Sequence, residues 1–313
     1  MVLIKNKRGI FFTTLVIVLL ALFMITFTLY SEIKERKTIQ KRIETLNNFV
    51  FSVEEDIPRQ LKATGFRIIF LFEKRIIETG SPIINLKETF REAFFNGTIY
   101  GETNPEIETI MVGVTIPEIE NSLKARAAKI GADIQINNPN IYIEQNDSWS
   151  MKITLESNII IKDKTDLALW NKTSNISAFI SIENFEDPIY VISTNGLITN
   201  KIIKSPYTIF VQGADISNLL SHSKNSYYIS SVTAPSFLDR LEGINSPNSN
   251  GIESLVDFED LSSQGISTQQ KSVVDYIYFS SSNPSACIIV PSGMPSWFRL
   301  DSIHLGAYQV SCA

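Results

Sequence analysis

The chain has 313 residues but only two histidines, His222 and His304. Histidine is the commonest general base at neutral pH, so His222 and His304 are the two residues to consider for histidine acid–base catalysis. Ser221 and Lys224 flank His222 in the run SHSK, which has the Ser-x-x-Lys spacing of a serine nucleophile and its lysine. The companion motifs of that enzyme class are missing from the sequence. We therefore interpret the SHSK run as a chance match and His304 as a packed structural histidine.

Carboxylates offer the other candidate chemistry, and they form two clusters: Glu183, Glu186 and Asp187, then Asp257, Glu259 and Asp260. A calcium site needs several oxygens converging on one point, and neither run has the loop spacing that arranges them. A glycosidase needs two acids about 5 to 10 Å apart across a cleft. We interpret both clusters as turns or solvated faces, with calcium binding as the alternative. The three tryptophans could stack on sugars but are expected in the core: Trp149, Trp170 and Trp297.

The composition also limits the function classes. Two cysteines and two histidines are too few for a convincing zinc or iron–sulfur site. Beyond residue 30 the chain has 25 basic and 33 acidic residues, the opposite of a nucleic-acid-binding surface. We assign no catalytic, cofactor-binding or metal-ligating residue. The protein is not expected to be an enzyme, to need a cofactor or to bind nucleic acid.

The first thirty residues predict a membrane location. Residues 10–30 (IFFTTLVIVLLALFMITFTLY) are 21 residues without a charge, and as a helix they match a hydrocarbon core of roughly 30 Å. A cleaved secretory signal is the alternative, but Thr26-Phe27-Thr28 is a poor match to the small-residue site that ends such a signal. We predict a transmembrane anchor in the lipid bilayer.

The orientation of this anchor follows from several weaker signals. Three basic residues precede the span, and five follow it: Lys34, Arg36, Lys37, Lys41 and Arg42. This count favours the C-terminal side facing the cytoplasm, but long folded domains translocate largely regardless of charge. Four sequons favour an extracytoplasmic domain, because their asparagines are glycosylated only there: Asn96, Asn146, Asn171 and Asn175. We predict a cytoplasmic N-terminus and an extracytoplasmic domain, in which Cys287 and Cys312 form either one disulfide or two separate buried thiols.

The leader MVLIKNKRG, followed directly by an apolar helix, resembles the class III signal of archaeal and bacterial type IV pilins. The resemblance implies cleavage between Gly9 and Ile10 by a prepilin peptidase. Those pilins usually carry Glu at the fifth mature position, where this chain has Thr14. Residues 182–196 (IENFEDPIYVISTNG) and 200–207 (NKIIKSPY) are similar to segments of uncharacterised, membrane-anchored surface proteins of archaea. No activity or site residue is implied by that second resemblance.

Beyond the span the chain predicts a helical stalk. Apolar residues recur in heptad spacing: Ile39, Ile43, Leu46, Val50, Val53 and Ile57. This 39–57 stripe either packs on the chain's own domain or associates with a second copy. Pro58 is expected to end or kink the helix, because proline removes a backbone donor and clashes with the preceding turn.

The rest of the chain predicts helices followed by an antiparallel meander, which is an α+β pattern. Gly80-Ser81-Pro82 divides residues 61–95 into two helices, and a third is expected from Thr115 and Pro117 to Gly131. Alternating apolar residues then predict a hairpin with its turn at 137–140 and two further strands over 151–161 and 176–182. Later strands are expected at 227–232, 273–279 and 287–291, with a short helix at 235–242.

These elements give four predicted segments: a cytoplasmic tip and anchor (1–30), a helical stalk (31–60), an α+β ectodomain (61–200) and a β-rich, Ser/Asn-rich segment (201–313). The predicted function is a single-pass membrane-anchored cell-surface protein with a structural, adhesive or assembly role. The first alternative is a pilin-like filament subunit processed after Gly9. The second is an anchored extracytoplasmic hydrolase that uses carboxylates.

Overall fold

The computed structural model describes residues 7–282, 284 and 292–310, with side chains from residue 11 onward. Cys287, Cys312 and the strand predicted at 287–291 lie outside the described residues, so the disulfide and that strand stay predictions. Gly9 and Ile10 have a described helical backbone, and their side chains are outside the description.

One helix dominates the chain. α1 runs from Lys7 to Thr79, 73 residues, and is therefore about 110 Å long. Of the two outcomes predicted for Pro58, an end or a kink, the end is wrong: α1 continues through Pro58 and stops before Gly80, whose φ of 65° lies in the left-handed region. Val53 and Leu61, on either side of Pro58, are both 1 % exposed and lie in the same core. That packing outweighs the helix-interior cost of proline, about 3 kcal/mol.

Three shorter helices follow: α2 (Leu86–Asn96), α3 (Pro105–Met111) and α4 (Ile116–Lys129). The predicted start of α4 is confirmed in detail. The Glu118 carboxylate accepts hydrogen bonds from the backbone N–H and the hydroxyl of Thr115, the N-cap residue. At the other end, Gly131 has a φ of 70° and ends the helical geometry before the first strand.

The predicted antiparallel meander is confirmed as one three-stranded sheet, β1 (Ala132–Asp147), β2 (Ser150–Asp163) and β3 (Leu169–Ser181), in the order β1-β2-β3. The hairpin turn predicted at 137–140 is wrong. β1 passes through these residues with a register shift between Asn137 and Asn140, and pairs with β2 on both sides of it. Asn138 takes up the extra residue with a φ of 49°, so the sequence that reads as a turn forms a bulge.

The helices cover one face of this sheet. α1 packs across β2 and β3, and α4 packs on β1. The inward side chains of the strands are apolar and buried, among them Ile134, Ile143, Ile153 and Ile180. The opposite face is open, with Tyr142 and Phe179 about half exposed. The predicted α+β class is therefore confirmed: a long N-terminal apolar helix, further helices and a small antiparallel sheet.

Gly65 marks a close approach between α1 and the sheet. A Cβ atom built there would overlap Cδ1 of Ile153 and would lie 2.8 Å from Cδ1 of Ile180. We expect Gly65→Ala to destabilise the fold by about 1 to 3 kcal/mol through overpacking, despite the better helix propensity of alanine. Denaturant unfolding of the detergent-solubilised full chain measures this change.

A double-mutant cycle tests the cause of that loss. Ile153→Val removes the Cδ1 atom that meets the new methyl group and alone costs about 0.5 to 1.5 kcal/mol. The Gly65→Ala/Ile153→Val chain is expected to lose less stability than the two single losses added together. Strict additivity would contradict close packing at this point.

The C-terminal part of the chain consists of short elements: α5 (Pro188–Ser193), α6 (Ser217–Lys224), β4 (Tyr228–Ser230), α7 (Phe237–Leu241), β5 (Ile252–Ser254), α8 (Phe258–Ser263) and α9 (Asp275–Tyr278). β4 and the short helix α7 confirm two predictions. The strand predicted at 273–279 is wrong, because Asp275–Tyr278 is helical. In the described residues beyond 200, the named strands are two of three residues each.

Two hydrophobic clusters fill the interior and interleave along the chain. The first lies between α1 and the sheet, and it also takes in Tyr228, Phe237 and Ile252 from beyond residue 200. The second includes Ile189 and Tyr190, which precede residue 200, and continues to Tyr308. Core packing therefore joins residues on both sides of the predicted boundary.

Candidate functional site

The N-terminal half of α1 is an exposed apolar surface. Among the described residues, α1 is the one helix long and apolar enough to cross a membrane, with a mean hydropathy of 2.5 over its most apolar window. None of that window is buried in the chain, and every described side chain from Phe11 to Thr38 is exposed. The apolar surface thus needs a covering that the described residues of the chain do not supply.

The heptad stripe changes character along α1. Leu46, Val53 and Ile57 are at most 1 % exposed and lie in the first hydrophobic cluster, whereas Ile43 is 41 % exposed. The chain's own fold therefore covers the stripe from Leu46 onward. The most exposed residue of the stripe is Ile43, in its first turns, where a second copy could contact it. Self-association through the stripe stays a prediction.

An ion pair fastens the emerging helix to the folded domain. Nη2 of Arg42 lies 2.7 Å from Oδ1 of Asp163, and Asp163 is fully buried at the end of β2. The same Nη2 atom also donates a hydrogen bond to the Gly131 carbonyl. The hydrogen bond from Arg42 holds the pKa of Asp163 well below its usual range. Further along α1, Arg126 of α4 pairs with Asp56 at 2.5 Å. The helix is thus held by charge as well as by apolar packing.

A buried ionic cluster lies at the centre of the C-terminal part. The Arg240 side chain has no exposed surface, and its Nη1 donates to Asp187 at 2.5 Å and to Asp275 at 2.8 Å. Its Nη2 donates to the carbonyl of Ile252. The Tyr228 hydroxyl donates to Asp187 at 2.7 Å. Arg240 therefore joins α5, α7, β5 and α9 through charge-assisted hydrogen bonds.

A second buried cluster surrounds His304. Its Nδ1 lies 2.8 Å from Asp301, and its Nε2 lies 3.4 Å from Glu253 and 3.0 Å from the hydroxyl of Tyr276. Burial lowers the pKa of His304, but the hydrogen bonds and charges of Asp301 and Glu253 outweigh burial and raise the pKa to about 9. The ring is therefore an imidazolium at neutral pH, which suits an ion pair and not a general base.

His222, unlike His304, is a neutral buried ring. It is fully buried against Phe210 and Tyr308, and its Nδ1 lies 3.0 Å from the Ser205 hydroxyl. Burial lowers its pKa to about 3, so the ring is neutral. The Ser221 hydroxyl of the SHSK run accepts a hydrogen bond from Tyr207. Burial thus fits the interpretation of this run as a chance match.

The two carboxylate clusters disperse in the fold. Asp187 is buried on Arg240, while Glu183 is exposed. Asp257 caps α8 by accepting from the Glu259 N–H, and Asp260 is exposed. Within the part of the chain that the structure describes, no group of three or more His, Cys, Asp or Glu side chains could hold a metal ion.

Sequence reasoning missed one carboxylate pair. Glu73 lies in the buried stripe of α1, 7 % exposed, and accepts a hydrogen bond from the Glu186 backbone N–H. Burial first, and the nearby Glu186 charge second, raise the pKa of Glu73 to about 9. Its carboxyl group is therefore protonated at neutral pH. The available signal was its position between Ile69 and Ile76, where an apolar residue is expected.

The tryptophans and sequons occupy different surroundings. Trp297 stacks on Phe258 with ring centroids 4.9 Å apart, and Trp149 lies under the Lys204 ammonium group at 5.1 Å from its centroid. Trp170 lines an apolar groove between α1 and β3. All four sequon asparagines are exposed, and Asn171 and Asn175 lie on the outward face of the sheet. Asn146 lies at a register shift near the end of β1. Asn96 is the last residue of α2.

The chain matches no family model, no curated protein and no solved structure. Inferences about its function therefore rest on its own residues and their geometry. Two features inform the function. The first is the exposed apolar half of α1, which continues without a break into the folded domain. The second is that the histidines and Asp187 of this domain take part in internal packing and ion pairs.

Proposed function

We propose that this protein is a single-pass membrane-anchored surface protein with a structural, adhesive or assembly role. The observation that supports it is the continuity of α1. The same helix presents an exposed apolar surface from Phe11 to Ile33 and, without a break, forms the core of the domain from Leu46 to Ile76. An uninterrupted helix transmits position and force between bilayer and domain, which a flexible linker does not.

The polar clusters support a structural role for the domain. His304 is a buried cation between two carboxylates, and Arg240 is a buried cation between two others. Both arrangements join separate short segments. In this proposal they stabilise a part of the chain that has little regular secondary structure, and the N-terminus is cytoplasmic with the domain outside.

Charged substitutions within the apolar half of α1 test the anchor. Each arginine at the centre of a span costs about 2.5 to 3.5 kcal/mol of insertion free energy. We expect the full chain to stay in the membrane fraction after alkaline carbonate extraction, and Val18→Arg/Leu22→Arg to move into the soluble fraction.

Val112→Arg/Val232→Arg is the matched control, since these two valines are 66 % and 70 % exposed on the domain. It adds the same charge outside the span and is expected to remain with the membrane. Release of the unmodified chain by carbonate would contradict the anchor. Protease treatment of intact cells reports the orientation: digestion of the domain supports an extracytoplasmic location, and full protection contradicts it.

The second candidate is a pilin-like filament subunit, cleaved after Gly9. The arrangement that favours it is a single long helix whose N-terminal half is exposed and apolar and whose C-terminal half packs on an antiparallel sheet. Intact mass and terminal sequencing of the membrane-extracted native protein separate the candidates. A mature start at Ile10 supports the filament subunit, and an uncut chain supports the permanent anchor.

A further inference from the structure

A groove runs along α1 just beyond its apolar half, beneath the turn between α4 and β1. It has a volume of about 540 Å³, and its walls include Tyr30, Lys34, Lys37, Lys41, Arg42 and Ile130. We call it the membrane-proximal groove. Nearly all of its lining comes from one face of α1, and Ile130 of the folded domain supplies the rest.

The groove is strongly basic. Lys34, Lys37 and Lys41 follow one another at intervals of about one helical turn, so their ammonium groups lie on the same side of α1. In the described part of the chain, no carboxylate lies within 4.0 Å of any of the three, and all three are exposed. Arg42 differs, because Asp163 already neutralises it.

The position of the groove relative to the apolar segment suggests what its lysines bind. At 1.5 Å per residue, Lys34, Lys37 and Lys41 lie about 6, 10 and 16 Å along α1 beyond Tyr30. The polar headgroup layer of a bilayer is about 5 to 7 Å thick on each side. Lys34 thus lies within the headgroup layer, and the long side chain of Lys37 can extend back to the level of the lipid phosphates. Tyr30 lies at the interface, where tyrosine is enriched.

We propose that the membrane-proximal groove binds the phosphate headgroup of an anionic phospholipid in the leaflet next to the domain. The proposal rests on the membrane anchoring proposed above. It assigns Lys34 and Lys37 to contact with the headgroup, and it assigns Lys41, farther from the bilayer, to the longer-range attraction of the anionic lipid. The basic residues after the span then serve a ligand and are not only an orientation signal. The bound lipid fills the space below the Arg42–Asp163 pair and fixes the height of the domain above the bilayer.

Native mass spectrometry of the full chain in detergent tests this binding, with phosphatidylglycerol as the anionic probe and phosphatidylcholine as the neutral one. Each lysine near an anionic headgroup contributes a factor of about five in affinity. We expect phosphatidylglycerol to bind the unmodified chain at least tenfold more tightly than phosphatidylcholine. Lys34→Gln/Lys37→Gln/Lys41→Gln is expected to abolish that preference.

The matched control is Lys62→Gln/Lys87→Gln/Lys224→Gln, which removes the same charge from exposed lysines elsewhere. It is expected to keep the preference. Equal binding of the two lipids, or equal loss in both triple variants, would overturn the proposal. Displacement of phosphatidylglycerol by millimolar inorganic phosphate would identify free phosphate as the ligand and would also overturn it.

Carbonate extraction of the unmodified chain, beside the Lys34→Gln/Lys37→Gln/Lys41→Gln chain, separates this inference from the proposed function. If the anchor holds and the headgroup is not bound, the unmodified chain stays in the membrane and shows no lipid preference. If the anchor itself is wrong, carbonate releases the unmodified chain as well.

Discussion

Replacing Arg240 by methionine is expected to destabilise the fold by about 3 to 5 kcal/mol, because two carboxylates then stay buried without their cation. Asp187 and Asp275 are both fully buried, and each accepts a hydrogen bond from Nη1 of Arg240. Methionine fills a similar volume, so the loss reports charge and hydrogen bonding more than a cavity. Denaturant unfolding of the full chain in detergent, followed by near-ultraviolet circular dichroism, measures the change.

Two further variants make this result specific. Arg59→Met removes a cation that is 73 % exposed and paired with Glu55 on the surface, and it is expected to cost less than about 1 kcal/mol. Adding Asp275→Asn to Arg240→Met removes one stranded charge and is expected to recover part of the lost stability. An Arg240→Met chain as stable as the Arg59→Met chain would show that the cluster does not support the fold.

Stability is expected to fall steeply between pH 6.5 and 9, because two groups have folded-state pKa values raised to about 9. The ion pairs of His304 stabilise the folded state fully below the unfolded pKa of 6.5, and this contribution is lost as pH rises through about 9. Glu73 is also raised, from 4.5, so its buried carboxyl costs increasingly more stability from pH 4.5 to about 9. Each group contributes at most about 1.4 kcal/mol per pH unit.

The melting temperature of the full chain between pH 6 and 10 measures this dependence. Glu73→Gln keeps the size and the neutral state of the side chain, so this variant is expected to be more stable than the unmodified chain at pH 8 and to lose less stability above pH 7. Glu78→Gln is the control, since Glu78 is 60 % exposed on the same helix. Stability that stays level from pH 7 to 9 would contradict the burial of Glu73 and the ion pairs of His304.

The local pattern predicted many elements correctly because their signals are short-range. Thr115 and Glu118 form a cap within one helical turn, so the start of α4 follows from four consecutive residues. Alternation of apolar residues predicted β2 and β3, because neighbouring strand side chains point to opposite faces. The apolar run of residues 10–30 predicted a span from length and charge alone.

The errors occurred where distant residues decide between local alternatives. Asn138 suits a turn and a bulge equally well, and the partner strand β2, pairing at both Asn137 and Asn140, selects the bulge. Pro58 disfavours helix locally, while core contacts on both sides hold α1 together. Asp275 lies in an apolar run whose pattern predicts a strand. In the structure it begins a short helix and accepts a hydrogen bond from Arg240, 35 residues away.

By itself, the sequence determined the apolar N-terminal helix, the α+β class and the meander, because periodicity and uncharged length act over one element at a time. Only the tertiary structure decided which charges meet. Asp187 and Arg240 are 53 residues apart in the chain, and Arg42 and Asp163 are 121 apart. No spacing rule links such residues, since their contact arises only when packed helices and strands bring them together.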